Sequence, residues 1–429
     1  MMRKMVIALA VMGLLCASAS PLLAGGIINK SNLSADYFRS LTRHASTDAA
    51  DIVAYNPAGV MKMENGIYAK GDFLYINKDY SNTVPGSVPV SGISGDFDTD
   101  VPSIVPGLFT VYKQDKWAGF FAVTVPGGGG DVEFKDGNAR TGVLGANFVL
   151  GSPAYTAIED MKIEANSVDL GFTLGGAYAI NDMFSVAAGL RYIKASQEFK
   201  GSVRLTSLSP LAPPVQKVDL ERTATGWGYF LGLNVAPSEK LNLGFLYQSN
   251  TELDFESDVK EDTSGGQIPA GVGWADGTKE REDLPGILGI GASYMITPKL
   301  QTQINYTRYL ESAAEFEGDR LEDCGDSWEV GVSFTYTFNP QWRTSIGYLH
   351  TDINGMEEED LLPEAPELDA RTIGLGAVYS PTDRWDVTFG YTDVTYDSVT
   401  TKANSSRAFA GTELEKHVTA FSLGVQYRF

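Results

Sequence analysis

Long apolar runs are almost missing from this chain. Although 43% of its 429 residues are apolar, enough for a sizeable core, no stretch beyond Met5 to Ala19 approaches the roughly eighteen uninterrupted apolar residues of a membrane-spanning helix. A helical membrane protein is therefore excluded. Cysteine is scarce too: Cys16 and Cys324 stand alone, and Cys16 falls inside the N-terminal apolar run. That excludes a disulfide-stapled scaffold. Histidine is limited to His44, His350 and His417, and none belongs to a Gly-x-Ser-x-Gly elbow or a His-Glu-x-x-His site. Ser345 and His350 are an odd number of positions apart, which puts them on opposite faces of a strand. No Asp-x-Asp-x-Asp-Gly calcium loop occurs either. The sequence thus predicts no enzyme, no cofactor and no metal site. Positive charge is the last deficit: 33 Lys and Arg against 54 Asp and Glu give a net charge of −21. Nucleic acid is a poor partner for such a chain.

The one apolar run has its own explanation. Arg3 and Lys4 precede it, and small residues with Ala24-Gly25 follow, which reads as a secretory signal peptide over residues 1–24, cleaved after Ala24. Lipidation at Cys16 is disfavoured because Leu15 is larger than such processing sites accept. Cys324 then remains as an incidental loop thiol.

The dominant positive feature is period-two alternation. Leu300, Thr302, Ile304 and Tyr306 alternate with Gln301, Gln303, Asn305 and Thr307, and Phe421, Leu423, Val425 and Tyr427 alternate with Ser422, Gly424, Gln426 and Arg428. One apolar and one small or polar face is what a strand between lipid and a polar lumen requires. Tiny connections such as Asn181-Asp182, Thr297-Pro298-Lys299 and Asn339-Pro340-Gln341 carry turn chemistry. Long acidic, Gly- and Pro-rich segments such as Asp258 to Asp283 and Ile353 to Asp369 join the resulting hairpins. Short turns on one rim and long loops on the other describe an all-β transmembrane antiparallel barrel. About fourteen strands are expected between Gly66 and Phe429, among them Ile163 to Ile180 and Leu241 to Ser257, with the barrel over residues 66–429. Their inward faces are polar, and aromatics at strand ends suit interfacial girdles.

Residues 25–65 do not alternate. Tyr37, Phe38, Leu41, Ile52, Val53 and Tyr55 are too apolar for a loose tail, and burial inside the lumen would shelter them. The Asp- and Ala-rich prefix carries Asn56-Pro57-Ala58-Gly59 directly before the first strand, and Val123-Thr124-Val125-Pro126 runs into Gly127-Gly128-Gly129-Gly130 after the third. With the strand count and terminal Phe429, this pattern resembles the outer-membrane long-chain fatty-acid transporter (FadL) family, which includes aromatic hydrocarbon channels. The resemblance spans the chain after residue 24. It implies a partly helical plug inside the barrel lumen and passive diffusion of hydrophobic compounds or fatty acids, past a gate at Asn56 to Gly59 and out sideways through the wall. A monomer surrounded by outer-membrane lipid is expected. Pro126 offers no ladder donor and glycines are poor strand formers, so Pro126 to Gly130 is the expected lateral opening, with an ordinary loop as the alternative.

Two further sites follow. Val143, Leu144, Phe148, Val149 and Leu150 form the most apolar non-alternating stretch, either an extracellular capture groove or a helix packed on the loops. A fatty-acid carboxylate needs a cation, because burying an unpaired charge is costly. Arg191 is the first candidate, since Phe184, Val186, Ala188, Leu190 and Tyr192 turn it inward, and Arg343 is second by the same parity. Either would alternatively pair with an inward acid such as Asp169, Glu329 or Asp386. An aromatic hydrocarbon would need no cation. A surface adhesin or an open hydrophilic porin would explain the barrel but not the plug.

Overall fold

In a computed structural model the described residues are 34–99, 101–128, 130–316, 319–320, 325–354, 361–403, 405 and 407–429. The expected signal peptide, Gly129, Cys324 and the acidic run Glu357 to Asp360 lie outside them.

Alternation produces fourteen antiparallel strands that close into a barrel. They are β1 Gly66–Val84, β2 Ser103–Gln114, β3 Trp117–Gly127, β4 Tyr155–Ala179, β5 Phe184–Ser207, β6 Val215–Ser238 and β7 Leu241–Gln248. The second half comprises β8 Gly286–Thr297, β9 Leu300–Leu310, β10 Trp328–Asn339, β11 Trp342–Asp352, β12 Ala370–Thr382, β13 Trp385–Tyr396 and β14 Glu413–Arg428. Each pairs with its sequence neighbour, and β14 closes on β1 through a continuous register from Tyr68↔Arg428 to Thr83↔Glu413. Closure removes the sheet edges that a bilayer would penalise, except where β2 and β3 part beyond Leu108↔Val123.

The faces follow the sequence pattern. Ile304, Ile346, Phe389 and Phe421 are about half exposed on the outside, where lipid would cover them, whereas Gln303, Asn305, Ser345 and Ser422 are buried inward. Five of the tight turns are closed by their own side chains: Asn181 and Asn339 accept two backbone N–H groups each, and Ser238, Thr297 and Thr382 cap their turns through hydroxyls. On the opposite rim β4 runs for 25 residues. A membrane-spanning strand needs only about ten, so β4, β5 and β6 rise well beyond the lipid.

Two expected boundaries move. The strand anticipated over Leu241 to Ser257 stops at Gln248, and a separate strand, Asp254–Asp262, pairs with the upper part of β6. β4 starts at Tyr155, eight positions before the expected Ile163, because its upper half pairs with β5 above the membrane.

Residues 34–65 occupy the lumen. Helix α1, Ala35–Ser40, is capped by Ser34, whose Oγ accepts from the Tyr37 N–H at 3.0 Å, and it ends at Leu41 in the left-handed region. Two 3-10 turns follow, Ala50–Ala54 and Pro57–Lys62, the second started by Pro57 with its preset φ.

Candidate functional site

The plug is held mainly by buried charge. Arg43 donates to Asp48 Oδ1 at 2.7 Å and to both oxygens of Asp51 at 3.1 and 2.7 Å, while Arg39 reaches Asp36 at 2.7 Å and Asp48 at 3.0 Å. Ser34 Oγ completes Asp51 at 2.7 Å. From the wall, Lys70 of β1 bridges Asp36 at 3.1 Å and its own neighbour Asp72. Burial alone would raise the Asp36 carboxyl, but Lys70, Arg39 and Arg43 outweigh it and hold it well below the usual carboxylate range. Asp48, whose side chain keeps one side open, is likewise held at about 2, its desolvation in the lumen overcome by Arg43 and Arg39. Each charge has hydrogen-bonding partners, as the low dielectric demands.

Wall glycines let the plug backbone touch the sheet. A Cβ on Gly244 would collide with the His44 carbonyl, on Gly347 with that of Ser40, and on Gly374 with that of Phe38. His44 is pinned on both ring nitrogens, Nδ1 to the Tyr55 carbonyl and Nε2 to Thr307 Oγ1, each at 2.9 Å. Burial lowers its pKa from the ordinary histidine value.

The four residues expected to form the gate, Asn56 to Gly59, lie against the inner wall. Asn56 Nδ2 donates to the Ser46 carbonyl at 3.1 Å and to Asn234 Oδ1 at 2.8 Å, and Asn234 and Asn242 exchange amide bonds in turn. The Pro57 ring rests on Gly232, where a side chain would not fit. The Ala58 carbonyl accepts from Ser185 Oγ at 2.9 Å, and Gly59 leaves room for the Asn56 amide folded back over it.

Arg191 projects inward from β5 and is buried. Its hydrogen-bond partners are neutral: Gln248 Oε1 at 2.7 Å and Thr251 Oγ1 at 3.2 Å. Asp169, one of the inward acids expected to pair with it, acts on it through charge without a hydrogen bond and keeps one carboxylate oxygen without a hydrogen-bond partner. Arg191 lines a cavity of about 30 Å³ with Val53 and Ala54 of the plug, Ala122 and Pro126 of β3, Phe230 and Gln248. That volume holds roughly two water molecules, so a larger guest requires the plug or β3 to move. Arg343 sits elsewhere: its nearest acid is Asp48 of the plug, at 3.8 Å, rather than a wall carboxylate.

The break near Pro126 has a different form from the one expected. β3 does not end at Val125 but continues to Gly127, paired with β4 through a bulge between Thr124↔Gly171 and Gly127↔Asp169. The ladder that stops is the one to β2, whose last pair is Leu108↔Val123. Val125, Pro126 and Gly127 are all buried, so the bulged strand bends into the lumen. Gly128 and Gly130 have φ of +86° and +91°, making them turn glycines rather than weak strand positions. A short strand, Val132–Phe134, then resumes pairing with β4.

The apolar stretch is a helix, α2, Ala139–Gly151, with Asn138 and Thr141 forming a capping box. Leu144 and Phe148 pack into the largest apolar cluster with Ile93, Ile158 and Val203, Val143 and Val149 are half-buried, and Leu150 alone is 67% exposed. Packing on the loops is thus what Leu144 and Phe148 do. Nothing in the sequence pattern announces the ion network, because Arg39, Arg43, Asp48 and Asp51 have no periodic signature; the Asp-rich composition of the prefix is its only trace.

A closed barrel whose lumen is filled by a charged, wall-anchored plug defines an outer-membrane transport barrel. The sequence matches the outer membrane protein transport protein (OMPP1/FadL/TodX) family over residues 14–429, and the chain belongs to that family. It is 22% identical to outer membrane protein P1 of Haemophilus influenzae over 396 residues, covering 81% of this chain and 80% of that one. The fold is shared with a FadL homologue of Pseudomonas aeruginosa, at TM-score 0.67, 16% identity and coverage of 96% and 100%. It is shared too with the toluene transporter TbuX of Ralstonia pickettii, at TM-score 0.59, 14% identity and coverage of 91% and 99%. At these identities the structures speak for the fold alone.

Proposed function

We propose that this protein is a channel for uptake of hydrophobic compounds, long-chain fatty acids foremost, by passive diffusion past the plug and sideways between β2 and β3. The observation that carries the reading is Arg191. A buried guanidinium whose hydrogen-bond partners are neutral sits in an otherwise mostly apolar cavity between plug and bent β3. Asp169 balances its charge only from beyond hydrogen-bonding contact, so a carboxylate guest would supply the direct charge partner it lacks, while its alkyl chain would lie on Val53, Ala122 and Phe230. In this reading Asn56 to Gly59 is the gate, the bend at Pro126 to Gly130 is the way out, and α2 borders the entrance through Leu150. Arg343 belongs to the plug's anchorage, because its acid is Asp48.

The test is Arg191→Ala, with binding of a long-chain fatty acid and of toluene measured on the purified protein. Losing a charge-assisted hydrogen bond should weaken the carboxylate ligand roughly 10- to 100-fold and leave toluene within about twofold. Equal loss of both ligands would mean that Arg191 shapes the lumen without reading charge.

A further inference from the structure

The opening between β2 and β3 has a second proline, on the opposite bank from Pro126. Continuing the β2–β3 register beyond Leu108↔Val123 would set Pro106 opposite Val125 and Ile104 opposite Gly127. The direction of each backbone group can be read from printed bonds. The Phe429 N–H donates to the Ile67 carbonyl, so odd-numbered residues of β1 bond to β14, and without a register shift this includes Phe73. Phe73 is the β1 partner of Pro106, so that pair exchanges no hydrogen bond and the Pro106 backbone faces β3. On β3, the Ala179 N–H donates to the Lys116 carbonyl, so even-numbered residues bond to β4 and odd ones face β2. Pro126 therefore lacks its donor on the β4 side, where the bulge lies. Pro106 lacks its donor on the side where the ladder ends.

We infer that Pro106 is the positioning residue that keeps β2 from re-pairing with β3, while Pro126 bends β3 away. This rests on the proposal that the break between these strands is the exit. Phe73 and Tyr75, the β1 neighbours of Pro106 and Ile104, are 43% and 39% exposed on the outer face, which puts the free edge at lipid depth. An unpaired N–H there costs several kcal/mol, so proline is both unable to zip the edge and the least costly residue to leave open. The banks are also strapped at a fixed spacing. Lys78 of β1 donates to the Asp131 carbonyl at 2.7 Å, and Asn166 of β4 donates to Asp131 Oδ1 at 3.1 Å.

The experiment compares Pro106→Val, Pro126→Val and the double variant in lipid nanodiscs, reading amide hydrogen exchange at Ile104, Val125 and Gly127 beside fatty-acid uptake in cells. Heat-modifiable migration on a gel checks folding, and the alanine pair, which restores the same N–H groups, replaces valine if the valine double variant does not fold. The expected result is exchange slowed about tenfold or more in the double variant only, with the single variants near the parent. If the edge still exchanges freely in the double variant, or if Pro126→Val alone protects it equally, Pro106 has no such role. Protection with unchanged uptake upholds Pro106 as the keeper of the edge and overturns the lateral exit instead.

Discussion

Arg43 offers the sharpest test of what keeps the lumen shut. Its side chain is 1% exposed and bonds to Asp48 and to both oxygens of Asp51, a carboxylate that is itself fully buried. Arg43→Met keeps most of the volume but leaves Asp51 with Ser34 as its remaining hydrogen-bond partner. Breaking a buried pair in this way costs about 3 to 5 kcal/mol. None of these contacts belongs to the barrel ladder, so the cost falls on docking of the plug and not on closure of the wall. A shift of that size raises the undocked population roughly 10²- to 10³-fold or more.

The assay is single-channel recording in planar bilayers, where the frequency of open events should rise by that order while thermal unfolding of the barrel changes little. Arg43→Lys keeps the charge but not the two-pronged geometry and should fall between parent and Met. Open events at parental frequency in Arg43→Met would refute the view that the ion network holds the plug. Equal behaviour of Lys and Met would show that packing, not charge, is what was lost.

Replacing Asn56 and Pro57 together with Ala removes two amide hydrogen bonds of about 0.5–1.5 kcal/mol each and the preset turn, so ion conductance should rise less than in Arg43→Met while fatty-acid uptake falls or stays level; unaltered conductance would remove these residues from gating. His44 predicts a pH effect of definite sign. Its pKa is depressed in the docked plug, so its contribution is complete above about 6.5 and is lost as pH falls below that value. Conductance should therefore be higher at pH 5.5 than at pH 7.5 in the parent and nearly flat across that range in His44→Gln, and a parent profile that rises with pH would contradict the assignment. Asp48 and Asp36 add an acid window: with Asp48 held at about 2, their contribution is complete above about 4 and fades towards pH 2, seen as further opening that Asp48→Asn reduces.

The wall was legible because lipid and lumen impose a rule on every second residue. Ile304 and Tyr306 face out and Gln303 and Asn305 face in, as their alternation requires, and the same rule turned Arg191 inward. Short turns were legible because Asn, Ser and Thr close them through their own side chains. The plug was legible only as a segment. Its apolar residues demanded shelter, but the partners of Arg39 and Arg43 depend on how a non-periodic chain folds against glycines spread from β6 to β14. The break was half legible. Pro126 and the glycine run stood out, yet which ladder fails depends on strand parity, and Pro106 lies in a segment that reads as an ordinary strand. For the helix α2 the sequence left a groove and packing on the loops both open, because apolar content says nothing about which side is covered.

One cluster ties the plug to both banks of the break. Tyr37, Phe38, Leu41 and Tyr55 of the plug pack in the same buried group as Val105 of β2 and Val125 of β3. Those two valines sit on the strand ends that fail to pair. The plug therefore supplies the apolar contacts that a closed ladder would have given them. Undocking it would strip packing from each bank at once, worth on the order of 1.5–3 kcal/mol for each side chain uncovered, and would enlarge the cavity beside Arg191, which has Val53 and Ala54 as walls. Plug position and the width of the break are thus coupled through shared packing, with no need for a hinge between them. On the proposed route, a ligand that displaces Ala54, which lines that cavity and packs on the same cluster, would loosen the exit by the same movement.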